Sequence, residues 1–369
     1  MPSPPSHDEI EVSIFGPGYG ESIVIHTLDD NWLIVDSCIN PNSGRNIPLD
    51  YLESLGVNVA SNIRLVVASH WHDDHVRDLS SVVKKCKAAK FACSIALTQS
   101  EFTSLIYGYG KGVMTEKLKS GVSELYEIFE YFRDPEDDDE RDVSSVIYAL
   151  ENSVLWSGSS EKGTTYRIHA LSPSNYSFSQ TLMDIAEILP QDKTPIRRVD
   201  PTIADINHLA VVLRVEIGDF NILLGSDMGS PSGETRYGWV AVLGLNSGPP
   251  AQVFKIPHHG SARSDNPNVW SQMLIENPHA VCTTYNRGKV GLPCPTDIER
   301  IKNYTDNAYI TSTKKLGSSL NNSAVEKTIR ESNIQLTTPF YSVGQIRFRC
   351  NYSDSDNLDV SFFSDASRL

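Results

Sequence analysis

The 369-residue sequence predicts an α/β protein built as a layered sandwich. Short runs of β-branched and apolar residues recur along the chain, and helical patterns alternate with them. These runs fall into two strand-rich halves, an arrangement typical of two sheets with helices outside. The hydrophobic content of 40% is enough for one large core, so residues 1–369 are expected to form a single domain.

The first half begins with strands joined by short turns. Apolar and β-branched residues alternate in the first three runs, and glycines at positions 16, 18 and 20 form the first turn. The fourth strand, IRLVVAS, is apolar throughout, as in a fully buried strand, and it leads to His70. The elements predicted in order are strands at 10–16, 22–27 and 32–37, a helix at 48–60, a strand at 63–69, a helix at 76–87 and a strand at 91–98.

Strands dominate the second half of the chain. Gly218 and Asp219 lie between two apolar runs and indicate a hairpin turn. The elements predicted there are strands at 164–173, 209–217, 220–227, 251–257, 279–285, 344–350 and 358–363, with a helix at 295–303. The second half thus repeats the strand pattern of the first, with one helix between its strands.

The intervening residues 100–165 are interpreted as a helical and acidic insertion within the domain. Apolar residues recur at helical spacing over 113–132, and the charge run DPEDDDERD then ends the helix. Such a run usually forms a solvated loop, although its carboxylates could also bind a cation. The insertion is also a candidate surface for a protein partner.

Charge and apolar patterning set limits on partners and location. The formal net charge is −14 and the sequence pI is near 5.1, which argues against a general basic surface for nucleic acid but leaves a local basic groove open. The six cysteines form no C-x-x-C pair, the N-terminus lacks the apolar stretch of a signal peptide, and no segment has the length and apolar character of a membrane span. A cytoplasmic protein with reduced thiols and no membrane association is therefore expected.

Residues 70–75, HWHDDH, bring three histidines and two aspartates to the end of the fourth strand. His70 and His72 lie two positions apart, so both imidazoles can face one metal ion. Asp74 and His75 follow one turn later and can face a second ion, because neutral imidazole and carboxylate suit Zn²⁺, Fe and Mn²⁺. The motif therefore supplies half of two metal sites.

Three further groups would be carried to the same sheet edge. Asp227 ends the strand LLGSD, His258 and His259 follow the strand AQVFKIP, and His208 precedes the hairpin that leads to Asp227. Several buried neutral histidines beside carboxylates would lack partners without a cation. The four remaining histidines are interpreted as structural residues: His7, His26, His169 and His279.

The HWHDDH motif resembles the signature H-x-H-x-D-H of the metallo-β-lactamase superfamily. The stretch HHGS at His258 to Ser261, together with Asp227 at a strand end, is similar more narrowly to the hydrolase domain of bacterial DNA-uptake competence proteins. The resemblance covers nearly the whole chain outside the insertion. It implies an αββα metallo-β-lactamase sandwich with a two-metal centre at one edge.

The resemblance also implies a role for each residue of the centre. His70 and His72 would bind the first metal, Asp74 and His75 the second, and Asp227 would bridge both; Asp74 and Asp227 are the predicted catalytic residues. The cofactors implied are two divalent ions, Zn²⁺ first and Mn²⁺ as an alternative. Their predicted ligands are His70, His72, Asp74, His75, His208, Asp227, His258 and His259.

Other residues would complete or support these ligands. One of His258 and His259 would complete the second metal site, and the sequence leaves open which. Asp36, in LIVDS, would accept an N–H hydrogen bond and so fix the orientation of a ligand. Asn207 and Ser261 are predicted to support the ligands or to contact the substrate.

Three positions depart from the pattern of these relatives. His208 lies where the third ligand of the first metal is expected, but within Asn207-His208-Leu209-Ala210 rather than the Asn-x-x-Ser of the competence proteins. Ser226 takes the place of the glycine that usually precedes the bridging aspartate. Leu292 stands where a Gly-His-Pro stretch would carry a histidine that contacts the substrate.

The chemistry predicted from this centre is hydrolysis. Two cations that share a water lower its pKa from about 16 toward 7 and supply hydroxide at neutral pH. The resemblance favours a phosphodiesterase or nuclease acting on nucleic acid or a nucleotide; the alternatives are a carbonyl hydrolase of a small ester, thioester or lactam, and a metal-stabilised protein-interaction module. The basic residues that flank the site and could engage phosphate are Lys255, Arg263, Arg287 and Lys289.

Overall fold

The computed structural model describes residues 3–16, 20–98, 121–134, 141–188, 206–231, 236–245, 248–286, 291–313 and 343–369. Within these residues, two eight-stranded sheets pack face to face and helices cover the outer face of each. The predicted αββα arrangement is therefore confirmed.

The first sheet combines antiparallel and parallel strands. Its strands are β1 (Glu9–Gly16), β2 (Ser22–Leu28), β3 (Asn31–Val35), β4 (Ile63–Val67), β5 (Lys90–Ser94), β6 (Val146–Ala149), β14 (Gly344–Asn351) and β15 (Asp354–Phe363). Their order across the sheet is β15-β14-β1-β2-β3-β4-β5-β6. The strands from β3 to β6 are parallel, so their carboxyl ends meet at one edge.

The second sheet has the same mixed character. Its strands are β7 (Ser153–Ser159), β8 (Thr165–Ala170), β9 (Leu213–Ile217), β10 (Phe220–Leu224), β11 (Ala251–Lys255), β12 (Leu274–Cys282), β13 (Ala308–Ile310) and β16 (Ser367–Arg368). Their order is β16-β13-β12-β11-β10-β9-β8-β7, and the strands from β10 to β13 are parallel. The predicted hairpin turn joins β9 to β10, with Gly218 at a positive φ of 57°.

The helices form the two outer layers. They are α1 (Ile47–Ser54), α2 (Val59–Asn62), α3 (Asp73–Val76), α4 (Leu79–Lys85), α5 (Gly121–Arg133), α6 (Asn175–Ile188), α7 (Gly238–Leu245), α8 (Pro267–Gln272) and α9 (Pro295–Lys302). The helix predicted at 48–60 is divided into α1 and α2. The helix predicted at 76–87 starts only at Leu79, because Asp78 has a left-handed φ of 59° that a continuous α-helix cannot contain.

Three apolar layers hold the sandwich together. In β4, Leu65 and Val67 point between the sheets, whereas Val66 points toward the helices, as the two-residue period of a strand requires. Ile222 of β10 meets the inner layer from the second sheet, and Phe254 of β11 packs outward under α7 and α8. The strands that end at the candidate site are thus buried on both faces.

The interval 100–165, predicted as an insertion, contains parts of the sandwich itself. The strands β6 and β7 form the outer edges of the two sheets, and α5 buries Leu125, Ile128 and Phe132 against the first sheet. Residues 99–120 and 135–140, which include most of the acidic run, lie outside the described residues. The boundaries of an insertion, and a partner for it, remain predictions.

Arg141, at the end of the acidic run, is buried rather than solvated. Its guanidinium donates to the carbonyl oxygens of Val83 and Cys86, at 2.9 Å each, and to the hydroxyl of Tyr131 at 3.0 Å. These carbonyls end α4, where the helix leaves them without internal partners. The Arg141 side chain therefore caps the C-terminal end of α4 and links this helix to α5.

We expect Arg141→Ala to lower the free energy of unfolding by about 3 kcal/mol, because it removes charged hydrogen bonds to two carbonyls of α4 and leaves that of Val83 without this donor. Urea denaturation measures the change. The control is Arg133→Ala, whose side chain is 57% exposed and pairs with Glu130, and which should change stability by less than about 0.5 kcal/mol. Equal unfolding midpoints for the two variants would contradict the role given to Arg141.

Candidate metal centre

The candidate centre lies where the parallel strands of both sheets end. Asp36 follows β3 and His70 follows β4 in the first sheet, while Asp227 follows β10 and His259 follows β11 in the second. Thr283 follows β12 beside them. The sheet geometry therefore brings together groups that are far apart in the sequence, as the strand-end positions predicted.

The backbone is turned sharply at several of these positions. Asp36, Ser226, His258 and His259 have φ values of 61°, 46°, 47° and 54°, in the left-handed region that non-glycine residues rarely adopt. Each such residue costs of order 1 kcal/mol, and strain of this kind clusters at functional sites. The turns aim the side chains that follow the strands into one cluster.

The first ligand group consists of His70, His72 and Asp227, whose ligand atoms lie within 4.8 Å of one another. His70 Nε2 is 3.1 Å from His72 Nδ1 and 3.7 Å from Asp227 Oδ2. His258 Nε2 approaches the same Oδ2 atom at 3.9 Å. This side of Asp227 thus faces three imidazole nitrogens.

The second ligand group consists of Asp74, His75, Asp227 and His259, again within 4.8 Å. His259 Nε2 is 3.1 Å from Asp74 Oδ2, and His75 Nε2 is 3.3 Å from Asp227 Oδ1. The structure therefore places His259 in the second group and His258 on the side of the first. Of the two histidines between which the sequence left the choice open, His259 is the one that lies among the second group's ligand atoms.

Asp227 connects the two groups through different oxygens. Its Oδ2 faces His70 and its Oδ1 faces His75, which is the arrangement of a bridging carboxylate. Ligands about 2.0–2.1 Å from a tetrahedral ion lie roughly 3.3 Å from one another; here the closest ligand atoms are 3.1 Å apart, and all those of one group lie within 4.8 Å of one another. The donor sets therefore fit metal ions by spacing as well as by type.

Charge also favours cations in this centre. Four carboxylates converge on it, those of Glu21, Asp36, Asp74 and Asp227, and Lys255 contacts Glu21 among them. Burial lowers the pKa of His75, but the carboxylates of Glu21, Asp227, Asp36 and Asp74 outweigh it and hold that pKa well above its ordinary value. The four carboxylates thus favour the protonated, positively charged form of His75. Two divalent cations would supply positive charge to the carboxylates directly.

The environment of His70 differs from that of His75. Burial, followed by the nearby His75, lowers the pKa of His70 well below its ordinary value. Its imidazole is therefore neutral, as a metal ligand must be. Asp227 keeps its charge, since burial raises its pKa but His75 then lowers it well below the usual range.

A third group, Glu21, Asp36 and His75, also has ligand atoms within 4.8 Å. Lys255 Nζ lies 2.7 Å from Glu21 Oε1, and both side chains are buried. An ammonium already supplies the positive charge there, so this group supports the metal centre rather than holding an ion of its own.

Asp36 belongs to a hydrogen-bond network that links the two sheets at the centre. Its Oδ2 lies 2.7 Å from His75 Nδ1 and accepts a hydrogen bond from the Ser69 hydroxyl at 2.6 Å. Ser226 donates to Ser69 at 2.8 Å, so the serine that replaces the usual glycine joins the same network. These contacts orient His75 and the segment before His70.

The remaining acidic residue of the motif, Asp73, faces away from the ligands. Its Oδ1 accepts a hydrogen bond from the backbone N–H of Gly121, the first residue of α5. A carboxylate at a helix N-terminus is favoured by the helix dipole. This contact explains why Asp74, and not Asp73, joins the metal groups.

Several predicted site residues lie beside the groups rather than in them. The ring of His208 packs against Tyr237 at 4.9 Å between centroids, and Asn207 is buried at the start of the segment that reaches Ser69 through Val211. The Ser261 hydroxyl accepts from the Arg263 backbone N–H. The roles of His208, Asn207 and Ser261 remain predictions.

The basic residues considered as phosphate contacts differ in accessibility. Lys255 is fully buried and pairs with Glu21, so the expectation that it engages phosphate is wrong. A lysine near a strand end is usually solvated, but this one is buried because Glu21 compensates its charge. Arg263 is exposed, and Arg287 and Lys289 lie outside the described residues.

Sequence reasoning missed three residues at the centre, Glu21, Thr283 and Tyr285, and gave Lys255 a different role there. Glu21, Lys255 and Thr283 form a buried chain behind the second ligand group, and the ring of Tyr285 stacks on His259 at 5.0 Å. The one signal for Glu21 was a carboxylate directly after the glycine turn and before a wholly buried strand. Gly20, with φ of 90°, lets this turn approach Asp74, whose carbonyl accepts from the Glu21 N–H at 2.9 Å.

We expect His258→Ala to weaken binding of one metal ion by at least 10- to 100-fold, because Nε2 of His258 faces the first ligand group. The matched variant is His208→Ala, which tests the position favoured by the sequence. Zn²⁺ titration against a chromophoric chelator measures both. If only His208→Ala weakened the binding of a metal ion, the third nitrogen of the first group would belong to His208.

The layers and the His/Asp groups define a two-sheet α/β protein with a candidate dinuclear metal centre at the edge of its sandwich. The family model of the metallo-beta-lactamase superfamily matches residues 15–267. The chain therefore belongs to that superfamily. The narrower relation to competence proteins remains a prediction.

Several solved structures resemble this chain at low sequence identity. The metallo-beta-lactamase fold protein YhfI from Bacillus subtilis is 11% identical, with 84% of this chain and 97% of that chain covered and a TM-score of 0.41. A HARLDQ-motif mutant of a metallo-beta-lactamase from Cronobacter sakazakii is 14% identical, with coverage of 66% and 75% and a TM-score of 0.33. MEM-A1, a subclass B3 metallo-beta-lactamase from a soil metagenome library, is 11% identical, with coverage of 68% and 78% and a TM-score of 0.34.

The search of curated proteins finds no match to this chain. Among the helices that the structure describes, none has the length and apolar character needed to cross a bilayer. The six cysteines are free thiols, and five of them are buried.

Proposed function

We propose that this protein is a dinuclear metal-dependent hydrolase of phosphodiester bonds, with a nucleic acid or a nucleotide as its substrate. The observation that carries the proposal is the position of Asp227, whose two carboxylate oxygens face two separate ligand groups. Two-metal centres of this kind serve phosphatases and nucleases, because paired cations stabilise the attacking and the leaving oxygens of an in-line displacement.

The residues present fit two metal ions. His70, His72 and Asp227 would hold the first ion, with His258 or His208 as a further nitrogen. Asp74, His75, Asp227 and His259 would hold the second. When bound, such ions lower the pKa of a shared water and supply hydroxide at neutral pH.

The chain's own side chains orient this centre and leave it open to substrate. His75 and His259 are buried, whereas His258 is 30% exposed and Asp74 is 17% exposed. The buried histidines therefore anchor the sandwich side of the centre, and a substrate enters on the side of His258 and Asp74. Arg263, exposed and two residues beyond Ser261 in the sequence, would supply a positive charge for a phosphate group.

Purified protein reconstituted with Zn²⁺ or Mn²⁺ tests the proposal on four substrates: single-stranded DNA, RNA, bis-(p-nitrophenyl) phosphate and nitrocefin. We expect metal-dependent cleavage of a phosphodiester substrate and no turnover of nitrocefin. Cleavage of nitrocefin alone would instead support a carbonyl hydrolase. Two bound ions with no turnover of a wider phosphodiester and carbonyl-ester panel would favour a metal-stabilised interaction module.

A further inference from the structure

A buried chain of three side chains lies behind the second ligand group. Lys255 Nζ is 2.7 Å from Glu21 Oε1, and the Thr283 hydroxyl donates a hydrogen bond to Glu21 Oε2. Thr283 Oγ1 is also 3.0 Å from His259 Nδ1. The chain Lys255–Glu21–Thr283 therefore ends on the ring nitrogen of a candidate ligand, opposite the Nε2 that faces Asp74.

The direction of each hydrogen bond in this chain is fixed. Lys255 is fully buried beside Glu21, so the carboxylate is ionised and can only accept. A threonine hydroxyl has one proton, and Thr283 uses it toward Glu21. Toward His259, the Thr283 oxygen can therefore only accept a hydrogen bond.

This direction determines the tautomer of His259. The Nδ1 atom faces two acceptors, Thr283 Oγ1 at 3.0 Å and the Thr283 carbonyl oxygen at 3.3 Å, so Nδ1 carries the proton. Nε2 lies 3.1 Å from Asp74 Oδ2, itself an acceptor, so the lone pair of Nε2 serves this group when a metal ion lies between the two atoms. Only this tautomer presents a metal-binding nitrogen to the group.

The other histidines of the centre depend on different partners. His75 Nδ1 faces Asp36 at 2.7 Å, and His70 Nδ1 faces the Ser69 hydroxyl at 3.2 Å. The Thr283 hydroxyl bonds Glu21 and His259 and no imidazole of the first group, which lies among the described residues, so a change at Thr283 acts on the second group.

We propose that Thr283, held in place by Glu21 and Lys255, is a positioning residue that sets the tautomer of His259 and thereby the affinity of the second metal ion. The inference rests on the two-metal centre of the proposed function and adds three residues that determine how tightly one of its ions is held. It does not depend on which bond the centre hydrolyses.

The test compares Thr283→Val, which keeps the shape and removes the hydroxyl, with Thr283→Ser, which keeps the hydroxyl. Zn²⁺ titration against a chromophoric chelator measures both dissociation constants. We expect Thr283→Val to weaken the second Zn²⁺ by about 10- to 100-fold and leave the first unchanged, and Thr283→Ser to restore both. A purely structural role would lower the melting temperature without this selective loss.

Wild-type affinity for both ions in Thr283→Val, or equal losses at both sites in a folded protein, would overturn the inference. If Thr283→Val does not fold, Glu21→Gln gives the second measurement. A glutamine amide can donate to Thr283 and turn its proton toward His259, so the same selective loss is expected and unchanged binding would overturn the proposal. Wild-type protein that binds two Zn²⁺ ions but cleaves no phosphodiester would contradict the proposed function alone.

Discussion

Asp227→Ala is expected to reduce hydrolysis by about 1000-fold or more while the protein stays folded. The carboxylate follows a strand end and contacts histidines of both ligand groups, so its loss separates the two halves of the centre. A 1000-fold decrease corresponds to about 4 kcal/mol of transition-state stabilisation, a size that paired cations can supply. Turnover of bis-(p-nitrophenyl) phosphate at saturating Zn²⁺ measures the decrease.

Two further variants make this measurement specific. Asp227→Asn keeps the shape of the side chain and removes its charge, so a similar loss would exclude a cavity as the cause. Asp219→Asn changes an exposed aspartate in the turn of the same β9–β10 hairpin and should retain full activity. Near-native turnover in Asp227→Ala would remove the bridging role from this residue.

Much of the fold was predictable because its buried strands carry strong patterns. The apolar run of β4 and the alternation of β1 and β14 predict strands that the structure confirms. The edge strands β6 and β7 were missed, since edge positions leave fewer apolar residues to mark the period. Helix α7 was also missed because GWVAVLGL is apolar nearly all round and shows no helical face.

The motif and its strand-end companions could be located from sequence, but their geometry could not. Adjacent histidines normally point to different sides, and the left-handed turns at His258 and His259 decide which ligand group each one meets. Such turns depend on long-range packing rather than on local propensity. The sequence could therefore identify the pair without distributing it between the two groups.

The contacts among Lys255, Glu21 and Thr283 were still harder to predict from the sequence. Glu21 and Thr283 are separated by 262 positions, and neither belongs to a motif with metal-ligand spacing. Lysine beside a strand end is usually solvated, yet Lys255 is buried here because Glu21 compensates its charge. Support residues of this kind are recognised by their contacts, and contacts require the fold.

Removal of metal is expected to abolish hydrolysis and to destabilise the protein. We expect two divalent ions per chain, because the first ligand group offers three ligands and the second offers four, with Asp227 shared by both. Without the ions, Glu21, Asp36, Asp74 and Asp227 would be left with Lys255 and a protonated His75 as compensation. At a free Zn²⁺ concentration about 1000 times the dissociation constant, binding adds about 4 kcal/mol to the free energy of unfolding.

Elemental analysis after Zn²⁺ reconstitution and thermal unfolding with and without a chelator measure these effects. Asp227→Ala is the matched variant, since it should bind the ions more weakly and gain less stability from Zn²⁺ than the wild type. An exposed histidine outside the centre, His7, provides the control, because His7→Ala should retain the full Zn²⁺ effect. A wild-type protein that binds no metal, or that unfolds at the same temperature with and without it, would show that the buried carboxylates are compensated by the chain itself.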